Sequence, residues 1–199
     1  IVQNNDLEKI KTIGDAYMCA GGIPIENSTN PMNACIAAIQ IQDYMSKLKF
    51  DAIANYKDYW EIRLGINTGP VTAGIIGDLK LAYDVWGSTV NEAQQMEKLG
   101  KPGEVTITGN TFNYIEPYFE CEFLGKVTTK GNVDVDMYTV KQIKAELSLR
   151  GNGIIPNKKF GEIVQLHHFS SIKYYKTEHF VLDYLKNGLA KKLLYHSVN

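Results

Sequence analysis

Residues 81–91 read LAYDVWGSTVN, and this stretch carries the strongest signal for the fold. The apolar and aromatic residues at 81–86 predict a strand, and the Ser-Thr pair after a single glycine predicts the start of a helix. Asp84 and Asn91 lie seven positions apart on the two sides of that turn. An aspartate at the end of a strand can accept from an exocyclic amine, and an asparagine on the first helical turns can reach the same pocket. The stretch therefore predicts a site that reads a base and holds a sugar or a phosphate.

Composition narrows the class of protein. The chain has 199 residues, of which 44% are hydrophobic and 22% charged, as in ordinary globular domains. A net charge of -1 gives no broad attraction to nucleic acid or to an anionic membrane, so no nucleic-acid partner is expected. No apolar run approaches the ~20 residues that span a bilayer, and no signal peptide opens the chain. Three widely spaced cysteines among apolar neighbours indicate buried thiols of a reducing compartment. We expect the cytoplasmic face, with the chain either cytosolic or tethered through segments outside it.

The sequence around the opening stretch predicts an α+β fold. Residues 1–24 have the pattern of a hairpin that turns at Gly14-Asp15, and Asn30-Pro31 reads as the cap and first turn of a helix. Apolar residues at helical spacing then predict a core face, made of Met32, Cys35, Ile36, Ile39, Tyr44, Met45 and Leu48. Strands are predicted at 61–67, 71–76, 81–86, 104–108, 118–124 and 135–140, and helices at 88–99 and 111–115. Hairpins among mixed elements indicate an α+β sandwich and not a strict βαβ repeat.

The composition shifts after about residue 142. Residues 143–169 are predicted to be a linker, because RGNGIIPNKK at 150–159 combines glycine, asparagine, proline and basic residues. Residues 170–199 carry an apolar stripe and are predicted to be a helical extension, either an accessory helix or the start of a following domain. The first domain then covers residues 1–142.

Five motifs, in family order and at family spacing, resemble the class III nucleotidyl cyclase catalytic domain. They are EKIKTIGDAYM at 8–18, RLGINTGPVTAGIIG at 63–77, YDVWGSTVN at 83–91, ME at 96–97 and KPG at 101–103. The resemblance implies a ferredoxin-like cyclase fold, a mixed and antiparallel-rich sheet with helices, over about residues 1–141. The family's first strand and helices would precede residue 1, so the domain is expected to be N-terminally incomplete in this chain. GGDEF-type cyclases share the broad fold, but their signature is absent.

The resemblance implies the conversion of a nucleoside triphosphate to a 3',5'-cyclic monophosphate and pyrophosphate. The family works as a head-to-tail dimer with active sites at the interface, so a homodimer and an upstream regulatory domain are expected. Two aspartates of one subunit hold two divalent ions, Mg²⁺ or Mn²⁺, which acidify the ribose 3'-hydroxyl and anchor the phosphates. Asp15 matches the second of these aspartates, although Gly14-Asp15 is also simply good turn chemistry. The first aspartate belongs to a strand preceding residue 1.

The resemblance also implies ATP as the substrate. Lys11 and Asp84 match the pair that selects adenine, in which the lysine donates to N1 and the aspartate accepts from the N6 amine. Guanylyl cyclases carry Glu and usually Cys there, because guanine presents the opposite polarity. A site built to hydrogen-bond one edge leaves unpaired polar groups against the other, which is costly. Taken alone, Lys11 would be interpreted as a solvated strand lysine.

Three further residues lie at catalytic positions of the family, and one of them differs from the family's residue. Asn91 matches the asparagine that orients the ribose, and Lys130 matches the lysine that contacts the terminal phosphates. Gln95 stands where the family has its transition-state arginine, four residues after Asn91. Losing a donor aimed at developing negative charge typically lowers turnover by ~10²–10³.

Gln95 leaves three explanations open. The enzyme is slow without an activator, another cation such as Arg63 or Lys80 substitutes, or the domain is degenerate and regulates something else through bound nucleotide. An adenylyl cyclase is the first hypothesis from the sequence. A nucleotide-binding regulatory or dimerisation module is the second, and a guanylyl cyclase is a weaker third.

Overall fold

The computed structural model describes residues 1–129, 132–171, 182–184 and 192–194. The strands are β1 (Leu7–Ile13), β2 (Ala16–Gly21), β3 (Leu64–Ile66), β4 (Thr72–Ile76), β5 (Ala82–Trp86), β6 (Val105–Thr108), β7 (Phe119–Thr128), β8 (Asp134–Ile143), β9 (Leu182–Tyr184) and β10 (Lys192–Leu194). The α-helices are α1 (Asn30–Ala54), α2 (Ser88–Leu99), α3 (Gly109–Ile115) and α4 (Lys158–Ser171). Short 3₁₀ turns lie at Gln3–Asn5, Ala145–Leu147 and Leu149–Gly151. The predicted α+β class is confirmed.

The strands form one four-stranded sheet and three two-stranded ladders. The large sheet has the order β3-β6-β8-β7, with β3 parallel to β6 and the other pairs antiparallel. The ladders β1-β2, β4-β5 and β9-β10 are all antiparallel. The sheets are therefore mixed and rich in antiparallel pairs, as the resemblance implied.

The main core lies between α1 and the four-stranded sheet. Its least exposed members include Cys35 on α1, Ile107 on β6 and Ile143 on β8. Only part of the predicted core face of α1 is buried, because Tyr44 and Leu48 are 55% and 43% exposed. The buried residues of α1 all lie between Pro31 and Gln42, so the first half of this helix of 25 residues supplies its contribution to the core.

Residues 143–169 do not form the predicted linker. Leu147, Phe160 and Val164 are buried in the main core, and Phe160 and Val164 lie on α4. Asn157 caps that helix, because its Oδ1 accepts from the backbone N–H of Phe160 at 3.1 Å. Glycine, asparagine and proline therefore mark tight turns here, and the chain continues to pack on the same core beyond residue 142.

The predicted helical extension falls mostly on residues outside the described ones. Where residues 182–184 and 192–194 are described, they form the β9-β10 pair, so the helix prediction is wrong for these six residues. Runs of three residues are too short for periodicity to separate strand from helix. Among the helices of the described residues, none is both long and apolar enough to cross a membrane.

Candidate functional site

Asp84 is presented by the β4-β5 ladder on the face opposite the local core. Successive side chains of a strand point to opposite faces, so the buried Val85 points into a small apolar cluster with Ile23 and Ala73 while Asp84 points away. The Asp84 Oδ1 atom accepts from the backbone N–H of Val85 at 2.9 Å. This contact fixes the carboxylate and leaves Oδ2 for another partner.

That partner is Lys11. The Lys11 Nζ donates to Asp84 Oδ2 at 2.7 Å, across 73 positions of sequence. A register shift in the β1-β2 ladder between Lys9 and Lys11 re-aims the β1 side chains at this point. The Lys11 side chain is 37% exposed and that of Asp84 is 14% exposed. The structure therefore brings together the two residues that the sequence assigned to base recognition.

Asp15 lies at the tip of the β1-β2 hairpin and is exposed. Ile13 pairs with Ala16, so Gly14 and Asp15 form a two-residue turn in which Gly14 takes a φ of +61°. The described residues contain no group of three or more side chains that could hold a metal ion. A Mg²⁺ ion is commonly held by one or two carboxylates together with substrate phosphates. Asp15 fits that role as a single carboxylate ligand.

Asn91 lies on the first turn of helix α2. The helix begins after Gly87, whose φ of 137° favours glycine, and the Asn91 N–H donates to the Gly87 carbonyl at 3.4 Å to close the first turn. A Cβ on Gly65 of β3 would lie 2.1 Å from the Glu97 backbone nitrogen, so only glycine lets β3 and α2 pack this closely. Asn91 is exposed and makes no side-chain hydrogen bond to any described residue.

A cleft of about 2060 Å³ runs between the ladders, α1 and α2. Both Lys11 and Asn91 line it, whereas Asp15, Asp84 and Gln95 do not. Asp84 nevertheless reaches its edge through the 2.7 Å contact with Lys11. Lys11 and Asn91 therefore border one cleft, and Asp84 is connected to it through Lys11.

Gln95 contacts the end of β7. Its Nε2 donates to the Thr128 carbonyl at 3.1 Å. Of the two cations considered as substitutes for the arginine, Arg63 is ion-paired with Glu97 at 3.0 Å and Lys80 is exposed in the β4-β5 turn. Neither substitute borders the cleft with a free charge, because Arg63 is engaged and Lys80 does not line the cleft.

Lys130, the predicted phosphate contact, lies outside the described residues. The ends of its loop are described. The Thr128 Oγ1 donates to Asp134 Oδ1 at 2.7 Å, and the Thr129 N–H donates to the Val133 carbonyl at 2.8 Å. The assignment of Lys130 therefore stays a prediction from the sequence.

The three cysteines are free thiols and offer no nucleophile at neutral pH. Burial raises the pKa of the Cys35 thiol, with a smaller contribution from the neighbouring Cys121. Burial likewise raises the pKa of Cys121 to about 11 and raises the pKa of Cys19. Since the thiolate is the reactive form, covalent cysteine catalysis is disfavoured.

One group at the site was missed by sequence reasoning. Asn67, directly after β3, makes three hydrogen bonds that link β6 to the first turn of α2. The only available signal was a polar residue ending an apolar strand, and that pattern does not reveal which distant groups the side chain contacts.

Comparisons with known proteins identify the family. Residues 1–142 match the family described as the adenylate and guanylate cyclase catalytic domain. Adenylate cyclase type 9 of Gallus gallus is 30% identical over 158 residues, which are 77% of this chain and 11% of that protein. The chain thus spans about a tenth of the length of this relative.

Solved structures of both nucleotide specificities resemble the chain. The adenylyl cyclase CyaB from P. aeruginosa superposes with a TM-score of 0.66 at 27% identity, covering 76% of this chain and 78% of that one. The guanylate cyclase domain of RhGC from Catenaria anguillulae, in complex with GTP, gives a TM-score of 0.63 at 30% identity, covering 70% and 75%. Likeness to both groups leaves the choice between ATP and GTP to the residues of the site.

Proposed function

This chain belongs to the adenylate and guanylate cyclase catalytic domain family, and from that premise we propose that it converts ATP to 3',5'-cyclic AMP and pyrophosphate. The single observation that carries the choice of ATP is the contact of 2.7 Å between Lys11 Nζ and Asp84 Oδ2. The Lys11 donor and the Asp84 acceptor lie side by side. They match the edge of adenine, where the N1 acceptor is next to the N6 amine donor.

Polarity distinguishes the two purines at this pair. Adenine presents the N1 acceptor to Lys11 and the N6 amine to Asp84. Guanine in the same pose would turn its N1–H toward the ammonium and its O6 toward the carboxylate. Leaving a buried polar group unsatisfied costs ~1–3 kcal/mol, and more for charged groups. One mismatch would fall on the Asp84 carboxylate, which is only 14% exposed, and the other on the Lys11 ammonium, which is 37% exposed. Together they support ATP over GTP.

The remaining residues are assigned to the sugar and the phosphates. In the proposed reaction the ribose 3'-oxygen attacks the α-phosphorus, and the bond from the α-phosphorus to the oxygen that bridges it to the β-phosphorus breaks. Pyrophosphate leaves with that oxygen, and the proton of the 3'-hydroxyl passes to solvent. Asn91 holds the ribose in the pose for this attack, and its side chain is free of other described partners. Lys130 is assigned to the terminal phosphates from the sequence alone.

A divalent cation is part of the proposal. Asp15 would supply a carboxylate ligand, and its place at the exposed hairpin tip leaves that side chain accessible from solvent. Mg²⁺ or Mn²⁺ bound there with the triphosphate would neutralise phosphate charge and acidify the 3'-hydroxyl. We assign two ions per site from the resemblance, in which the family's first metal-binding aspartate is the other carboxylate ligand.

A homodimer with its active sites at the interface completes the proposal. Two hairpins expose large apolar side chains: Ile13 and Tyr17 on β1-β2 are 54% and 52% exposed, and Leu79 and Leu81 at β4-β5 are 100% and 72% exposed. Contiguous exposed apolar surface marks interaction sites. Both hairpins carry residues of the proposed site, so a partner seated on them would close it. An upstream regulatory domain remains an expectation from the resemblance.

A specificity exchange tests the choice of substrate. The full-length protein containing this chain is assayed for cyclic AMP from ATP and cyclic GMP from GTP with Mn²⁺. We expect ATP to be preferred, and the double substitution Lys11→Glu with Asp84→Cys to shift the preference toward GTP. The matched control is Lys49→Glu with Glu61→Cys, which alters another ion pair of 2.7 Å in the same way. A wild type that prefers GTP, or makes neither product with any metal or activator, contradicts the proposal.

A second candidate is a nucleotide-binding regulatory module without turnover. It is favoured by Gln95 at the arginine position and by its engagement with the Thr128 carbonyl at 3.1 Å. Calorimetric binding of ATP without product formation would support the module. Binding together with slow turnover would support a cyclase tuned by an activator. A guanylyl cyclase is the weaker third candidate, and Lys11 with Asp84 argues against it.

A further inference from the structure

A polar network joins three element ends behind the cleft. Thr108 and Thr111, at the junction of β6 and α3, are fully buried, and the Thr108 Oγ1 accepts from the Thr111 N–H at 3.3 Å. The same hydroxyl donates to Asn67 Oδ1 at 2.6 Å. Because the Asn67 amide oxygen can only accept, the hydrogen of the Thr108 hydroxyl is directed at it.

The orientation of the Asn67 amide is fixed by its partners. Its Nδ2 donates to Glu92 Oε2 at 2.8 Å and to the Thr89 carbonyl at 3.2 Å. Both partners can only accept, while Thr108 donates on the other side. No flipped amide satisfies all three. Asn67 therefore connects the buried β6-α3 junction rigidly to α2.

The two α2 partners of Asn67 flank Asn91. Thr89 and Glu92 lie two residues before and one residue after it, on the first turn of the helix. Thr89 is itself tied down, because its Oγ1 donates to the Pro70 carbonyl at 2.6 Å. The start of α2 is thus held from outside the helix by the Asn67 side chain and the Pro70 carbonyl, while the Asn91 carboxamide makes no hydrogen bond to a described residue.

We propose that Asn67 is a positioning residue that sets the first turn of α2, and through it holds the Asn91 carboxamide against the nucleotide ribose. The inference rests on the proposed function, since it assigns Asn67 to the sugar step of that reaction. Displacement of a positioned group by about an ångström costs up to ~10²-fold in rate. Asn67 makes no contact with the Lys11–Asp84 pair, so base preference is independent of it.

The test is a double-mutant cycle in the full-length protein. Asn67→Asp keeps the oxygen that accepts from Thr108 but turns an acceptor toward the Thr89 carbonyl and the Glu92 carboxylate. We expect kcat for ATP to fall by up to about tenfold, the loss expected when the Asn91 hydrogen bond itself is removed, with the ratio of ATP to GTP use unchanged. In an Asn91→Ala background the same substitution should cost less than ~3-fold, because effects that act through one residue are not additive.

A matched control separates positioning from general damage. Asn157 is held in a similar way, with Nδ2 donating to the Glu146 and Ser148 carbonyls at 3.0 and 3.1 Å and Oδ1 accepting from the Phe160 N–H. Asn157→Asp makes the same chemical change at the start of α4. We expect it to lower thermal stability while leaving kcat within ~2-fold.

Hydrogen exchange gives a readout that needs no turnover. Backbone amides of residues 89–93 should exchange faster in Asn67→Asp, and those of β6 and β8 should not. If Asn67→Asp fails to fold, Thr108→Val, which removes the hydroxyl that donates to Asn67, should produce the same local exchange and a smaller kcat loss.

The outcomes distinguish this inference from the proposed function. If the wild type forms no product while Asn67→Asp still speeds exchange at residues 89–93, the proposed function is overturned and the positioning of α2 is supported. An active wild type in which Asn67→Asp costs as much with Asn91→Ala as without it overturns the inference alone. Unchanged exchange at residues 89–93 also overturns it.

Discussion

The two sides of the cleft differ in how far the site is already assembled. On the strand side, Lys11 and Asp84 are in contact at 2.7 Å, with the carboxylate braced by the Val85 N–H. On the helix side, Asn91 is free of described partners and Gln95 is turned to the Thr128 carbonyl. The two residues that we propose to select the base are thus already in contact, while Gln95, at the position of the family's arginine, is a neutral amide that donates to the Thr128 carbonyl. We therefore expect changes on the strand side to alter which nucleotide is used, and changes on the helix side to alter kcat.

Restoring charge on the helix side should have the largest effect. Gln95→Arg returns a cationic donor to the family position, and we expect kcat for ATP to rise by ~10²–10³, the size of the loss when one such donor is removed. KM should change little, because the added interaction acts mainly on the transition state. Steady-state cyclase assays on the full-length protein measure both constants.

An exposed glutamine away from the cleft provides the control for that gain. Gln165→Arg adds the same charge to α4 at a position that does not line the cleft. Its kcat should stay close to wild type. If Gln95→Arg gives no gain in kcat although ATP binds, the missing charge is not what limits turnover. The chain would then be better explained as a regulatory module.

Removing the acceptor on the strand side should have the next largest effect. Asp84→Ala leaves the Lys11 ammonium without its partner and the adenine amine without an acceptor, so kcat/KM for ATP should fall by ~10–10². Turnover of GTP should fall less, and the preference should shrink. Glu61→Ala, which opens the exposed pair with Lys49, should leave both activities near wild type. Equal losses with ATP and GTP would show that Asp84 does not read the base.

Much of this site could be predicted from sequence, but by two different routes. Local signals placed α2 at 88–99, since a serine-threonine start and a glycine stop bound it. The contact between Lys11 and Asp84 spans 73 positions, and only the family resemblance, not periodicity, indicated it. The Asn67 network was missed because its bonds depend on three separate element ends meeting in space. Residues 143–169 were misinterpreted because glycine and asparagine mark tight turns as often as linkers.

The sugar contact should have a smaller effect than either charged position. Asn91→Ala removes a neutral hydrogen bond worth ~0.5–1.5 kcal/mol, which corresponds to a loss of up to about tenfold in kcat/KM. Because the ribose is common to both purine nucleotides, ATP and GTP should lose equally and their ratio should hold. Parallel assays with the two substrates check this. A changed ratio would mean that Asn91 contacts the base. The two sides of the cleft would then not have separate roles.

The smallest expected effect concerns stability on the strand side. Partly exposed ion pairs contribute only ~0–1 kcal/mol, and Lys11 is 37% exposed. Lys11→Met should therefore lower the free energy of unfolding by less than ~1 kcal/mol, even though it removes the donor to adenine N1. Lys49→Met is the reference, since its pair has the same 2.7 Å separation and a comparably exposed lysine. Urea denaturation of both variants measures the difference. A clearly larger loss for Lys11→Met would mean that the pair holds β1 against β5 as a structural link, and its contact distance would then no longer argue for base recognition.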